Sequence, residues 1–226
     1  MHAFIPGPHT PSPIPILVFG CSKGGTGKST ITCHQAVAAL HCGRNPVIFD
    51  CDLAQQSAKG WSRLRREDPP IVKAVAPAAL GRALAWALSA GHDEVYVDLP
   101  GRDGSDLAPI LTTASIVICP AQMTTFDLLG AKPMLQSLRD LNLHHFVLLN
   151  RVHRATATRV GQFKTAFANL ATVLNPVLTD RLIFGDCIAQ GRTAFEYAGG
   201  AARSAAEEQW NVHRELRRRL REITHG

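Results

Sequence analysis

Six short apolar runs punctuate the chain, at 16–19, 47–49, 71–75, 95–98, 115–119 and 146–149. Most are apolar at every position, the pattern of strands buried on both faces. Between them lie helix-like segments near 28–42, 55–67, 78–90, 104–112, 125–141 and 156–172, with a last one at 202–223. Strand and helix in alternation predict an α/β fold: one domain with a mostly parallel, twisted sheet and helices on both faces. Residues 1–15 read differently. They hold five of the fourteen prolines, Pro6, Pro8, Pro11, Pro13 and Pro15. Such density predicts a flexible, extended arm ahead of a domain at 16–226.

The last helical segment is two-sided. Val212, Leu216, Leu220 and Ile223 recur at spacings of four, four and three, making one apolar stripe. Arg214, Arg217, Arg218 and Arg221 fall on the opposite side, interrupted only by Glu215 and Glu222. Arginine forks suit phosphate oxygens, so this face is a candidate contact for a nucleic-acid backbone. A solvated helix face and a membrane-surface contact are the other readings. Composition sharpens the picture. The chain has 226 residues, 46% apolar, with net charge +6 and a pI near 9.2, which favours an anionic partner. No apolar run reaches the ~18 residues of a membrane span, and no signal-peptide pattern opens the chain. The cysteines, Cys21, Cys33, Cys42, Cys51, Cys119 and Cys187, form no C-x-x-C pair. They read as small core residues of a reduced, cytoplasmic protein.

Candidate chemistry sits directly after the first apolar run. Lys23-Gly24-Gly25-Thr26-Gly27-Lys28-Ser29-Thr30 joins that run to a helical segment. Strand, glycine-rich turn and helix are what a phosphate-binding loop requires. Glycines let backbone N–H groups turn inward around phosphate oxygens, and the helix N-terminus adds partial positive charge. Lys28 is placed for the β- and γ-phosphates, and the Ser29 hydroxyl for Mg²⁺. Two further runs end in acids, at Asp50-Cys51-Asp52 and at Asp98, the latter followed by Pro100-Gly101. Strand C-terminal ends are where open α/β sheets bind ligands.

The extra lysine, Lys23, gives the loop a Lys-Gly-Gly-x-Gly-Lys-Ser form. It resembles the deviant phosphate loop of the ParA/MinD ATPases, and the resemblance runs from about Ile16 to Leu220. It is nearest to small ParA-type partition ATPases lacking an N-terminal DNA-binding domain. The resemblance implies a single P-loop domain that binds ATP and Mg²⁺ and hydrolyses ATP slowly on its own. It implies that Lys23 reaches across an ATP-dependent homodimer, and that Asp50 and Asp52 position the attacking water and contacts around the metal. Asp98 would hold Mg²⁺ through water, Pro100-Gly101 would sense the γ-phosphate, and Asn150, ending the run at 146–149, would read the adenine edge. Leu178-Thr179-Asp180-Arg181 is similar to the loop covering the other side of the base. The ATP-bound dimer would hold DNA non-specifically near the nucleoid, and a ParB-like centromere-binding partner would stimulate hydrolysis. After Asp52 the chain departs from the family, running Leu53-Ala54-Gln55-Gln56 where Pro-Gln is usual.

A MinD-like ATPase acting at a membrane surface is the main alternative. Such a protein needs bulky apolar residues free to insert, whereas Leu216 and Leu220 are expected to dock the helix on the core. An iron–sulfur carrier should show paired cysteines, and a tyrosine kinase of this loop class a tyrosine-rich tail. The chain has neither. Intact Lys28, Ser29, Asp50, Asp52 and Asp98 argue against a binding module that has lost its chemistry.

Overall fold

All six apolar runs form strands, and they lie side by side in one parallel sheet. The computed structural model describes residues 14–66, 68–102, 107–153 and 157–225. Its strands are β1 (Ile16–Phe19), β2 (Pro46–Asp50), β3 (Ile71–Ala74), β4 (Glu94–Asp98), β5 (Ile116–Ala121), β6 (His145–Leu149) and a two-residue β7 (Thr172–Val173). Their spatial order is β3-β2-β4-β1-β5-β6-β7, every pair parallel. β1 lies between β4 and β5, where the crossovers diverge, so the turn after β1 opens at a topological switch point.

Side chains alternate across the pleat and feed two cores. Val18, Phe49, Val97, Cys119 and Val147 face one layer, covered by α3 (Leu80–Ser89), α4 (Ala108–Leu111), α5 (Thr125–Asp140) and α6 (Ala157–Phe167). Leu17, Phe19, Ile48, Tyr96, Ile118 and Leu148 face the other. That second layer holds α1 (Lys28–His41), α2 (Ser57–Leu64), α7 (Leu182–Ala189) and α8 (Gly200–His225). The expected stripe of α8 docks there, with Val212, Leu216 and Leu220 buried and Ile223 packed beside them. Burying each is worth about 1.5–3 kcal/mol, so none of these three is free to insert into lipid. Among the described residues no helix is long and apolar enough to cross a membrane.

Three expectations change. The helix expected at 156–172 stops at Phe167, and Thr172 begins β7. Two residues are too few for the run-length signal that marked the other strands. The helix α7 had no counterpart in the periodicity. Eight residues with Phe184 and Cys187 buried carry too little pattern to stand out. Of the segment expected at 104–112, Ala108–Leu111 is α-helical, and residues 103–106 lie outside the described residues. The arm expected at 1–15 likewise lies outside them, apart from residues 14 and 15. Five cysteines are buried as expected, while Cys42 is exposed.

Candidate functional site at the carboxyl edge of the sheet

Strand register assembles the site. Phe19 of β1, Asp98 of β4 and Asp50 of β2 lie in one row at the carboxyl edge. The phosphate loop leaves β1 beside that row and enters α1 at Lys28. Gly25 and Gly27 adopt φ of 75° and 91°, the left-handed region where a side chain is strained. A β-carbon on Gly27 would also lie 2.3 Å from Asn150 Nδ2. No side chain caps α1, and no acid stands in its first turn. Its leading N–H groups and partial positive charge are therefore left for an anion. Lys28 is buried and donates from Nζ to the Lys23 carbonyl at 3.1 Å.

Asp98 faces this loop in an unusual state. It is 1% exposed, yet neither carboxylate oxygen has a hydrogen-bond partner. Burial pushes its pKa up to about 7. The neighbouring Asp50 adds to the rise, while the nearby Ser29 hydroxyl, short of a formed hydrogen bond, and the Lys28 ammonium pull it back. A buried carboxylate without partners is costly, so the donor set suits a cation. Ser29 and Asp98 are few ligands for a metal, and among the described residues no group of three or more His, Cys, Asp or Glu could hold one. Mg²⁺ takes few protein ligands when phosphates and water complete its shell, so these residues fit it.

Asp50 and Asp52 divide their work. Asp50 is buried, and its oxygens accept from Asp52 N at 3.1 Å and from Lys59 N at 2.9 Å. It caps the start of α2 and braces the turn, and burial raises its pKa. Asp52 lines the cavity and accepts from Gln55 N at 3.2 Å. The altered turn after Asp52 places Gln55 at the cavity wall and sets Gln56 at φ 48°.

The cavity itself, about 650 Å³, is lined by Gly24, Gly25, Gly27, Lys28, Ser29, Thr30, Asp52 and the Leu99–Arg102 turn. Gly101 presses on the loop so closely that a β-carbon there would sit 2.9 Å from Gly24 N. Thr26 is fully buried, and its carbonyl accepts from Asn150 Nδ2 at 2.7 Å. Asn150 thus stands at the edge of the phosphate loop. Lys23 points elsewhere: its Nζ lies 3.2 Å from buried Asp127 at the start of α5. Arg102 and Arg151 line the same cavity and were missed in the sequence. Each directly follows a motif at a strand end, which was the available signal.

The arginines of α8 are not brought to this site, nor do they act as one face. Arg214, Arg217 and Arg221 line a larger cavity of about 1250 Å³ beside Pro15, Arg44 and Ser115, at the opposite edge of the sheet. That cavity contains no phosphate loop, and its size alone does not make it the catalytic site. Arg217 is tied to the buried Glu94. Arg218 is held by Glu215 at 2.6 Å and by Glu222. Among the described residues Arg221 forms no ion pair. Glutamates three or four residues away pair with Arg218 on the helix surface, which the sequence pattern did not weigh.

Comparison with known proteins places this geometry. The model of the CobQ/CobB/MinD/ParA nucleotide-binding domain matches residues 17–186. No curated protein matches the chain in sequence. Among solved structures, a Borrelia burgdorferi B31 protein described as a plasmid partition protein, bound to AMPPNP, superposes with TM-score 0.70 at 15% identity, covering 91% of this chain and 99% of that one. The McdA(D38A)–ATP complex of Cyanothece gives 0.69 at 15%, with 91% and 97% covered. The septum site-determining protein MinD of Pyrococcus horikoshii OT3, complexed with Mg-ADP, gives 0.68 at 16%, with 90% and 96% covered. Identities this low speak for a shared fold.

Proposed function

Because the chain belongs to the CobQ/CobB/MinD/ParA nucleotide-binding family, we propose that it is a Mg²⁺-dependent ATPase switch for DNA partition. One observation carries the reading: an uncapped α1 with its glycine loop faces Asp98, whose two buried oxygens have no partner. That pairing of an anion cradle with an orphaned carboxylate suits a nucleotide triphosphate and its cation.

The residues divide the work as follows. Backbone N–H groups of Gly24, Gly25, Thr26, Gly27 and Lys28, with the Lys28 ammonium, hold the β- and γ-phosphates. Ser29 and Asp98 would hold Mg²⁺. Mg²⁺, when bound, neutralises charge on the phosphate oxygens. Asp52 orients the attacking water from the cavity wall, and Asp50 keeps its turn in place. Asn150 meets the adenine edge. Lys23, on leaving Asp127, reaches the phosphates held by a second copy, so ATP closes a homodimer. Phosphoryl transfer needs positioning more than covalent help, and a slow basal rate follows where that positioning awaits a partner.

In this reading the ATP dimer holds DNA non-specifically through Arg214 and Arg221 at the rim of the larger cavity. A ParB-like centromere-binding protein then triggers hydrolysis, and the protein works in the cytoplasm at the nucleoid. The test is DNA retention with ADP, ATP and a slowly hydrolysed ATP analogue at two salt concentrations. Binding with ATP or the analogue only, weakened by salt, is the expected result. Binding to anionic liposomes in place of DNA would move the protein to the MinD-like reading. A Lys28→Ala chain that still bound ATP and DNA normally would sink the switch.

A further inference from the structure

Two adjacent residues of α8 fasten two different elements, helix α1 and the loop after β7. Gln209 is buried and accepts from Gln35 Nε2 of α1, through its carbonyl at 3.1 Å and its Oε1 at 2.8 Å. Glu208 turns to the loop after β7. Its carboxylate accepts from Thr179 N at 2.9 Å, Thr179 Oγ1 at 2.8 Å, Arg181 Nε at 2.9 Å and Arg181 Nη2 at 2.8 Å.

That loop is laid against the chain just beyond β6. Leu178 N donates to the Leu149 carbonyl and Val152 N to the Leu178 carbonyl, each at 2.9 Å, and Val152 and Thr179 form a parallel bridge. Leu149 and Val152 bracket Asn150 and Arg151. Of these, Asn150 touches the phosphate loop at Thr26 and Arg151 lines the cavity. The segment 178–181 is therefore a wall beside Asn150, secured from behind by one carboxylate. A short loop loses much conformational freedom when fixed, and charge-assisted bonds to both its backbone and its arginine offset that loss.

We propose that Glu208 is a positioning residue for nucleotide recognition. By holding Thr179 and Arg181 it fixes the wall beside Asn150, and so sets affinity for the base and ribose rather than for the phosphates. Lys28 and Ser29, which serve the phosphates and Mg²⁺ in that reading, belong to α1, which α8 holds separately through Gln209. This inference rests on reading Asn150 as the base contact.

Titration calorimetry of the full chain with ATP, and separately with inorganic tripolyphosphate, both with Mg²⁺, separates the two ends of the ligand. Glu208→Gln should weaken ATP about tenfold, the loss of one charge-assisted contact, and leave tripolyphosphate nearly unchanged. Glu208→Asp should recover part of the loss. Equal losses for both ligands, or a loss that tracks a fall in Tm, would show a merely structural brace and overturn the proposal. Asn150→Ala is the control. If it shifts the ratio of the two affinities and Glu208→Gln does not, the positioning role alone fails. If neither shifts it, the base reading of Asn150 falls as well.

Discussion

Strand β4 carries a buried acid at each end, and the two have opposite fates. Glu94 begins the strand and is 0% exposed; Asp98 ends it and is 1% exposed. Burial raises the pKa of both. At Glu94 the rise is opposed by the Arg217 guanidinium from α8, which forms an ion pair with it. At Asp98 nothing completes a hydrogen bond to either oxygen. The same residue class in the same sheet thus gains an ion pair on one oxygen, Glu94 Oε2, at one edge, and completes no hydrogen bond on either oxygen at the other. A compensated buried charge holds the fold together, whereas a bare one waits for something the chain does not itself supply.

Breaking the compensated end should give the largest change in stability. Arg217→Ala strands Glu94 in the core and should lower stability by about 3–5 kcal/mol, read from urea unfolding. Replacing both partners with apolar residues of similar size should be far milder, because no charge is then left unpaired. If the single and double variants are equally unstable, the ion pair is not what α8 supplies there.

At the bare end the sign reverses. Asp98→Asn should cut ATP hydrolysis by about 10³-fold, as Lys28→Ala should, yet raise stability above pH 7. The sign follows from the raised pKa. Asp98 has an ordinary value of 3.8 and about 7 when folded. Its favourable contribution is fully present below pH 3.8 and is lost as pH rises to 7, so the ionised group opposes folding at neutral pH. A phosphate-release assay beside thermal melts checks both halves. A destabilised Asp98→Asn chain would show that the carboxylate has a structural partner after all.

The pH curve sharpens the contrast. His34 of α1 is fully buried, taking a hydrogen bond from Ala194 N on Nε2 at 3.1 Å while Nδ1 meets the Thr30 carbonyl at 2.7 Å. Burial lowers its pKa from 6.5 to about 4. His213, beside Arg217, is lowered to about 4 as well. A depressed base stabilises the fold above pH 6.5, and that stability is lost as pH falls to 4, by roughly 3 kcal/mol for His34. Asp98 works against this loss over nearly the same window. The Asp98→Asn chain should therefore be more acid-sensitive than the wild type, and adding His34→Gln should flatten its profile. Parallel profiles for the two chains would remove Asp98 from the pH response.

Much of this was legible in the sequence, for physical reasons that differ by region. Runs such as Ile16–Phe19 and Glu94–Asp98 read as strands because both faces are buried, and the glycine loop read as a phosphate site because few other structures need that spacing. The stripe Val212, Leu216, Leu220 was visible by periodicity alone. What stayed hidden depends on contacts between distant residues. Arg217 looked like a surface arginine because Glu94 lies 123 residues away. Asn150 could be named from its strand end, but its bond to Thr26 could not. Nothing local in the sequence separates Glu208 from its neighbour Glu207. Asp50 and Asp52 read as a pair at a strand end, and the fold separates them, with Asp50 taking the Lys59 N–H at the start of α2.

The smallest expected effect concerns the arginines that remain at the compensated edge. If DNA lies there, each arginine that meets a phosphate should contribute about 0.9 to the slope of log affinity against log salt. Arg221 has no ion pair among the described residues, so Arg221→Ala should lower that slope by about 0.9 for the ATP-bound protein. Arg218 is already shared between Glu215 and Glu222. A phosphate would have to displace those carboxylates, so Arg218→Ala should leave the slope close to its starting value. Filter binding at four or five salt concentrations resolves the difference. Equal changes for Arg218 and Arg221 would mean that the carboxylates let go when DNA arrives. The edge where β4 begins would then be a switch in its own right, and the contrast between a settled end and a waiting end of β4 would no longer hold.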